Sequence, residues 1–259
     1  MSGLRRGCAL LAMTVGVAAA AQGGALPFGK DWAKDARLPL PYGAGLTFYS
    51  QTQGYELDRL SVSLPGLAID PDQVGIDNRV HEINVQLDAW LFPFLNVFGI
   101  AGEIDGLTRV DLSNVEASPI PLGLLDIDYT GEVYGVGVTL VGGNDRFFGS
   151  LTGIWTTENL SGDFQSDAEA LIVTPRVGIH DERTSAWIGA TYQDASETHQ
   201  GTINLPVVGG VGFDVELKDS DPWNIQLGME TAISEHWHVH AEGGFAKRLT
   251  AELGATYRF

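Results

Sequence analysis

The feature that most limits what this chain can fold into is a two-residue alternation of apolar and polar side chains. In the clearest stretch, apolar residues from Ile83 to Leu91 alternate with polar residues that begin at Glu82. A period of two places successive side chains on opposite faces of a β-strand. Almost no segment has the 3.6-residue period of a helix, so the sequence predicts an all-β fold.

The alternation recurs about ten times between residues 43 and 259, each time over roughly 10–15 residues. Short turns alternate with long connections at about 58–78, 109–127, 159–168 and 196–220. This asymmetry is typical of membrane barrels with short periplasmic turns and long extracellular loops. We predict an antiparallel up-and-down transmembrane β-barrel of about ten strands over residues 43–259, with eight or twelve strands as alternatives. A secreted β-sandwich is the competing fold.

The N-terminal segment has the layout of an export signal. Arg5 and Arg6 precede an apolar run, which is followed by small residues ending near Ala21. The run is too short for a spanning helix, which needs ~20 residues. We expect residues 1–22 to be a cleaved signal peptide. Its removal takes away Cys8, the only cysteine, so we expect no disulfide and no thiol chemistry.

Residues 23–42 do not alternate and contain several prolines. We predict an irregular periplasmic arm there, either a flexible tail or a short helix that plugs the barrel mouth. The formal net charge of −18 argues against a nucleic-acid partner, because phosphates need Lys and Arg.

Aromatic residues cluster toward both ends of the predicted strands, as the two interfaces of a bilayer select. The predicted periplasmic girdle is Phe92, Phe94, Phe147, Phe148, Trp187, Trp237, Tyr257 and Phe259, and the outer one is Trp155, Tyr192 and Trp223. Between the girdles the apolar face must meet lipid, because hydrocarbon cannot satisfy polar groups. The residues predicted to face lipid are Val85, Leu87, Val138, Val173, Ile188, Leu227, Val239 and Leu253.

The opposite face of each strand predicts a polar, acid-rich lumen. The lumen-lining candidates are Glu82, Asn84, Gln86, Asp88, Glu103, Asp105, Arg176, Glu230, His238, His240, Glu242, Glu252 and Arg258. A simple hairpin register about Pro93 pairs Asn84 with Glu103. The same register pairs Glu82 with Asp105, and the resulting carboxylate group at the outer mouth favours cations. Alternatively, inward charges pair with Arg176, Arg109 or Lys218 and fill the lumen.

No pattern for catalysis or metal binding stands out. His238, His240 and Glu242 share one strand face, which metal sites use, but an inward polar strand has the same pattern. The sequence has no Gly-x-Ser-x-Gly motif for a serine nucleophile. We therefore predict no metal, no cofactor and no enzymatic activity.

Three predicted loops have Pro and Gly turns set among apolar residues, at 63–70, 119–126 and 204–211. Such loop tips either pack together as a cap over the barrel or contact an apolar ligand or partner.

Over residues 43–259 the chain resembles small outer-membrane β-barrel proteins of Gram-negative proteobacteria. The resemblance rests on the alternation, the signal, the stretch Leu87–Gly99 and the terminal Tyr257, Arg258 and Phe259. It implies an outer-membrane location and recognition of the C-terminal aromatic strand by the barrel-assembly machinery. It implies no site residues.

The sequence supports two functions. The first is a narrow channel or uptake protein for small solutes, because the inward faces are polar and carry glycines. The second is a structural or binding barrel whose apolar loops recognise a lipid or a partner. In either case we expect a monomer surrounded by outer-membrane lipid.

Overall fold

The structure of the protein, a computed structural model, describes residues 26–33, 38–62, 74–113, 124–162, 164–205, 209–219 and 222–259. It contains a short 3-10 helix, Lys30–Ala33, and eleven strands. The strands are β1 (Tyr42–Val62), β2 (Gly75–Phe92), β3 (Leu95–Asp111), β4 (Leu124–Gly143), β5 (Phe147–Gly162), β6 (Phe164–His180), β7 (Thr184–Leu205), β8 (Gly209–Asp219), β9 (Trp223–Ala232), β10 (Trp237–Gly244) and β11 (Leu249–Arg258). Within these residues no helix is long and apolar enough to cross a membrane.

Ten of the strands close into a single antiparallel barrel, which confirms the predicted fold. Strands β1 to β7 and β9 to β11 pair in sequence order, and β11 pairs back with β1 from Gly43↔Arg258 to Thr52↔Leu249. Among the described strands closure leaves no unpaired edge, as a sheet within a membrane requires.

The barrel narrows from ten strands to eight toward its outer end. Strands β9, β10 and β11 are short and end before the outer rim. Beyond their outer ends, β8 pairs with Glu197–Leu205 of β7 on one side and with Tyr55–Val62 of β1 on the other. The outer wall therefore consists of β1 to β8. Barrel diameter grows with strand number, and an eight-stranded interior is just wide enough for side chains to fill.

Much of the predicted long loops is strand instead. The connection at 159–168 is a tight hairpin between β5 and β6, and most of 196–220 forms the outer part of β7 together with β8. The apolar tip at 63–70 and most of the tip at 119–126 lie outside the described residues. The tip at 204–211 joins β7 to β8, and its residues 206–208 also lie outside them. The signal peptide predicted over residues 1–22 lies outside them as well.

Between the two ends of the barrel the faces follow the predicted parity. The eight residues predicted to face lipid all lie on the outer face, and most are more than half exposed, such as Leu253 at 60%. The predicted girdle aromatics lie on the outer face and form two girdles, except for two residues at the periplasmic end. Phe148 and Trp187 share the inward parity of their strands, so their assignment to a girdle was wrong. Phe148 covers Gly178, and Trp187 covers Gly228, where an added Cβ would lie 2.5 Å from the indole.

The parity of apolar residues reverses along the long strands. In β4, Val136, Val138 and Leu140 point outward, whereas Tyr129 and Val133 point inward and are buried. The outward residues from Glu132 out to Asp126 are polar or charged. Because lipid requires an apolar outer face and water does not, the reversal marks the outer boundary of the bilayer.

The periplasmic turns are closed by side-chain caps. Asp181 accepts hydrogen bonds from the backbone N–H groups of Arg183 (2.8 Å) and Thr184 (2.7 Å). These donors hold the pKa of Asp181 below its usual value. Asn144 accepts bonds from the N–H groups of Arg146 and Phe147 in the same way.

Candidate functional site: the barrel lumen

Eleven of the thirteen predicted lumen residues have the inward parity of their strands. They are Glu82, Asn84, Gln86, Asp88, Arg176, Glu230, His238, His240, Glu242, Glu252 and Arg258. Two of them are nearly inaccessible, Asn84 at 9% and Asp88 at 6% exposure.

Glu103 and Asp105 do not line the lumen, and the register that placed them there was wrong. A bulge between Trp90 and Phe92 shifts the β2–β3 pairing by one residue, so that Asn84 lies opposite Gly102 and Glu82 opposite Ile104. One residue of slip moves a side chain to the other face. Both carboxylates are therefore exposed on the outside of the barrel.

At the periplasmic end, an ion pair ties the closing strand to the start of the sheet. Arg258 Nη1 lies 3.1 Å from Asp88 Oδ1, which also accepts a 2.7 Å bond from Asn96. The Asp88 carboxylate reaches across β1 at Gly43, where an added Cβ would lie 2.1 Å from Oδ2. Arg258 Nη1 also donates to the carbonyl of Leu40 (3.4 Å). Strands β11, β2 and β3 are thus joined over a glycine of β1.

Farther from the periplasmic end, Glu242 of β10 is the centre of a polar cluster. Arg176 donates to it through Nε (2.9 Å) and Nη2 (3.1 Å), a two-point geometry that guanidinium and carboxylate favour. Trp187 Nε1 donates to the same carboxylate at 2.6 Å. Trp187 was missed as a lumen residue because its size suggested a girdle. Its parity, opposite to that of Ile188, was the signal that placed it inside.

Two histidines pair with glutamates on neighbouring strands. His240 Nε2 lies 2.9 Å from Glu252 Oε1, and His238 Nδ1 lies 3.3 Å from Glu230 Oε1. Both pairs bridge adjacent strands of the lumen wall. Among the described residues, no group of three or more His, Cys, Asp and Glu side chains is placed to hold a metal.

Four residues in a row on adjacent strands bring three carboxylates together. Tyr49 pairs directly with Glu82 on one side and Glu252 on the other, and Glu252 pairs with Glu242. Directly paired residues on one face have Cβ atoms about 4.5–5.5 Å apart. Glu82 accepts a bond from Asn84 Nδ2 (3.0 Å), and Tyr49 donates to Gln51 (2.6 Å).

Next to this row, beginning at Ile104 opposite Glu82, the lumen is filled by an apolar plug, which we define as Ile104, Tyr129, Val133 and Leu160. Each is less than a tenth exposed, and Val133 is only 2% exposed. Val80 and Ile127 pack against the plug. At its upper edge Asn78 Nδ2 donates to Tyr129 Oη (2.9 Å). The plug lies where the wall changes to eight strands, as the narrower bore requires.

Below the plug, several buried polar atoms lack a hydrogen-bond partner within the described part of the chain. They are Asn84 Oδ1, Asp88 Oδ2, Trp90 Nε1 and Gln226 Nε2. All four belong to residues of inward parity. The lumen wall between the plug and the periplasmic end is therefore polar and carries hydrogen-bonding groups that the described residues leave unsatisfied.

Comparison with known proteins gives a likeness of fold only. No family model and no curated protein matches the chain. Among solved structures, the outer membrane protein OprG from Pseudomonas aeruginosa is 12% identical, with 86% of this chain and 98% of that chain covered and a TM-score of 0.46. The outer membrane protease OmpT from Escherichia coli is 9% identical (85% and 97% covered, TM-score 0.46). The toluene transporter TodX from Pseudomonas putida is 11% identical (86% and 90% covered, TM-score 0.37).

Likenesses this distant carry no argument about activity. The protein's own structure carries the assignment of its compartment: a closed ten-stranded barrel has an apolar outer belt between two aromatic girdles. Only helices and closed barrels satisfy their backbone in hydrocarbon, and barrels of this type belong to outer membranes. The chain is an outer-membrane β-barrel.

Proposed function

We propose that the protein is a narrow outer-membrane channel for small solutes that rests closed at its outer end. The observation that carries the proposal is the polar lumen wall, with unsatisfied buried atoms, on the periplasmic side of the apolar plug. Buried polar atoms are nearly always hydrogen-bonded, so we expect water to reach these atoms when the lumen opens.

The charge balance of the lumen wall favours cations. Among the described inward residues, six acids face three arginines: Glu82, Asp88, Glu158, Glu230, Glu242 and Glu252 against Arg176, Arg248 and Arg258. Rings of carboxylates select cations in pores. We therefore propose that the preferred solutes are small and cationic or neutral.

The plug is the element that would open. Its side chains are apolar, and apolar constrictions gate pores by excluding water. A modest separation of Val133 and Leu160 would let water enter, because these side chains hold the outer lumen closed by packing.

Shortening the plug is expected to raise the open fraction of the channel. In planar bilayers the wild type should give brief openings, and Val133→Ala or Leu160→Ala should lengthen them because each removes packed apolar volume. The control is Val136→Ala, which removes the same atoms from the lipid-facing side of β4. A wild type that is silent at every voltage would contradict the channel and favour a sealed structural or binding barrel.

Neutralising Glu82 is expected to weaken cation preference. One unit charge about 7 Å from a passing ion changes its energy by about 0.6 kcal/mol in water, or roughly threefold in relative permeability. Glu82→Gln should therefore lower the potassium-to-chloride permeability ratio by about that factor, read from the reversal potential in a salt gradient. Glu103→Gln is the matched control, because Glu103 lies outside the barrel. Equal shifts in both variants would show that the lumen does not set selectivity.

A sealed binding barrel remains the second candidate, because the plug closes the outer end and binding needs no passage. We also propose that the barrel is not an enzyme. The lumen histidines hold structural contacts: His238 and His240 pair with glutamates, and His180 Nε2 bonds the carbonyl of Asn144 at 2.7 Å.

We propose further that the protein is a monomer and that the barrel-assembly machinery recognises its last strand. The terminal residue supports this assignment, because Phe259 exchanges backbone hydrogen bonds with Tyr42 (3.0 and 3.2 Å) at the closing seam.

A further inference from the structure

Residues 26–33 of the N-terminal arm are attached to the outside of the barrel at the turn between β2 and β3. The N–H of Phe28 donates to the carbonyl of Leu91 at 2.8 Å, and the N–H of Trp32 donates to the carbonyl of Gly29 at 2.9 Å. Gly29 has a φ of 68°, and an added Cβ would lie 2.9 Å from the Trp32 ring. Only glycine allows this turn and this close approach of the indole.

Four aromatic rings pack together where the arm meets the turn. Trp32 stacks on Phe92 (centroids 5.8 Å apart, planes at 6°) and on Phe94 (6.1 Å, 18°). Phe92 stacks on Phe94 (5.5 Å), and Phe28 tilts against Phe92 (6.0 Å). The bulge between Trp90 and Phe92 explains the position of Phe92. Phe92 pairs with the outward Leu95, so its ring joins the outer surface.

Although they contact one another, three of these four rings remain widely exposed. Trp32 is 64% exposed and Phe28 51%. A contiguous aromatic surface of this kind marks an interaction site. It continues the aromatic rim of the periplasmic end, formed by Tyr42, Phe147, Trp237, Tyr257 and Phe259.

We propose that the arm cluster, Phe28, Trp32, Phe92 and Phe94, is a membrane-interface anchor that binds the headgroup region of the inner-leaflet phospholipids. Continuity with the girdle supports this partner, because Trp and aromatic rings concentrate at that level. Lys30, exposed in the same turn, adds a cation where phospholipid phosphates lie. The anchor holds the arm beside the barrel wall and keeps it out of the lumen.

The test places a fluorescent, polarity-sensitive label at Ala33→Cys in a Cys8→Ser background. The protein is reconstituted in vesicles of phosphatidylethanolamine and phosphatidylglycerol. We expect blue-shifted emission that a lipid-borne nitroxide quenches more than an aqueous quencher does. Trp32→Ala and Phe92→Ala should each shift the emission to the red and reverse that preference. Phe147→Ala, which removes an exposed girdle ring remote from the arm in sequence, should change neither.

A label at Glu235→Cys, in an exposed periplasmic turn, gives the aqueous reference. If the Ala33 label matches that reference in the unmutated arm, the anchor is excluded and the cluster faces a soluble partner or water. If the label is shielded from both quenchers, the arm enters the lumen, which also overturns the proposal. Neither result depends on conductance, so the channel is tested separately.

Discussion

Asp88→Ala is expected to lower the free energy of unfolding by about 3 kcal/mol, since removing one partner of a buried ion pair leaves the other charge unpaired. The Asp88 side chain is 1% exposed, and that of Arg258 is 14% exposed. The loss should fall at the lower end of the range for buried pairs, because the lumen is polar. It can be measured by denaturant titration of the barrel in phospholipid vesicles.

Two comparisons isolate the ion pair from other effects. The double variant Asp88→Asn with Arg258→Gln should recover part of the loss, because neither charge then remains alone. Arg109→Ala breaks an exposed pair with Asp126 and should leave stability unchanged. If Asp88→Ala unfolds at the same denaturant concentration as Arg109→Ala, the pair does not hold the closing seam.

Leu227→Arg is expected to lower the free energy of unfolding by about 2–4 kcal/mol, the usual effect of a cation on the lipid face near the midplane of a barrel. Leu227 points outward at 52% exposure and lies between the two girdles. Gln86→Arg places the same side chain on the lumen face and should destabilise much less, because water can reach it. The same titration in vesicles measures both. Equal losses of stability in the two variants would mean that the outward and inward faces meet the same solvent.

Much of this fold could be predicted because a transmembrane strand has one strict requirement. Each strand turns apolar side chains to lipid, so the parity of Ile83 and Val85, or of Leu227 and Met229, identifies the outer face without knowledge of any contact. The same rule predicted the inward parity that Asp88 and its partner Arg258, on strands distant in sequence, have in the structure.

What the sequence did not predict depends on register and on non-local pairing. Glu103 was misplaced because a single bulge between Trp90 and Phe92 is not visible in the alternation. The strand β8 was assigned to a loop, because it pairs with β1 and β7 only at the outer end of the barrel. Nearer the periplasm, β9, β10 and β11 lie between those two strands. The plug had a readable signal: the apolar parity of β4 reverses between Val133 and Tyr134.

The inner half of the long strand β4 crosses lipid and has an apolar outward face, whereas its outer half lies in water and has an apolar inward face. Single cysteines along β4, in a Cys8→Ser background, test this assignment. We predict that a lipid-soluble thiol reagent labels positions 136, 138 and 140, and that an impermeant reagent added to intact cells labels 128, 130 and 132. Positions 129 and 133 should not react with the lipid-soluble reagent, because they face the lumen. Labelling of one face by the same reagent along the whole strand, or reaction of 129 and 133 with the lipid-soluble reagent, would overturn the assignment.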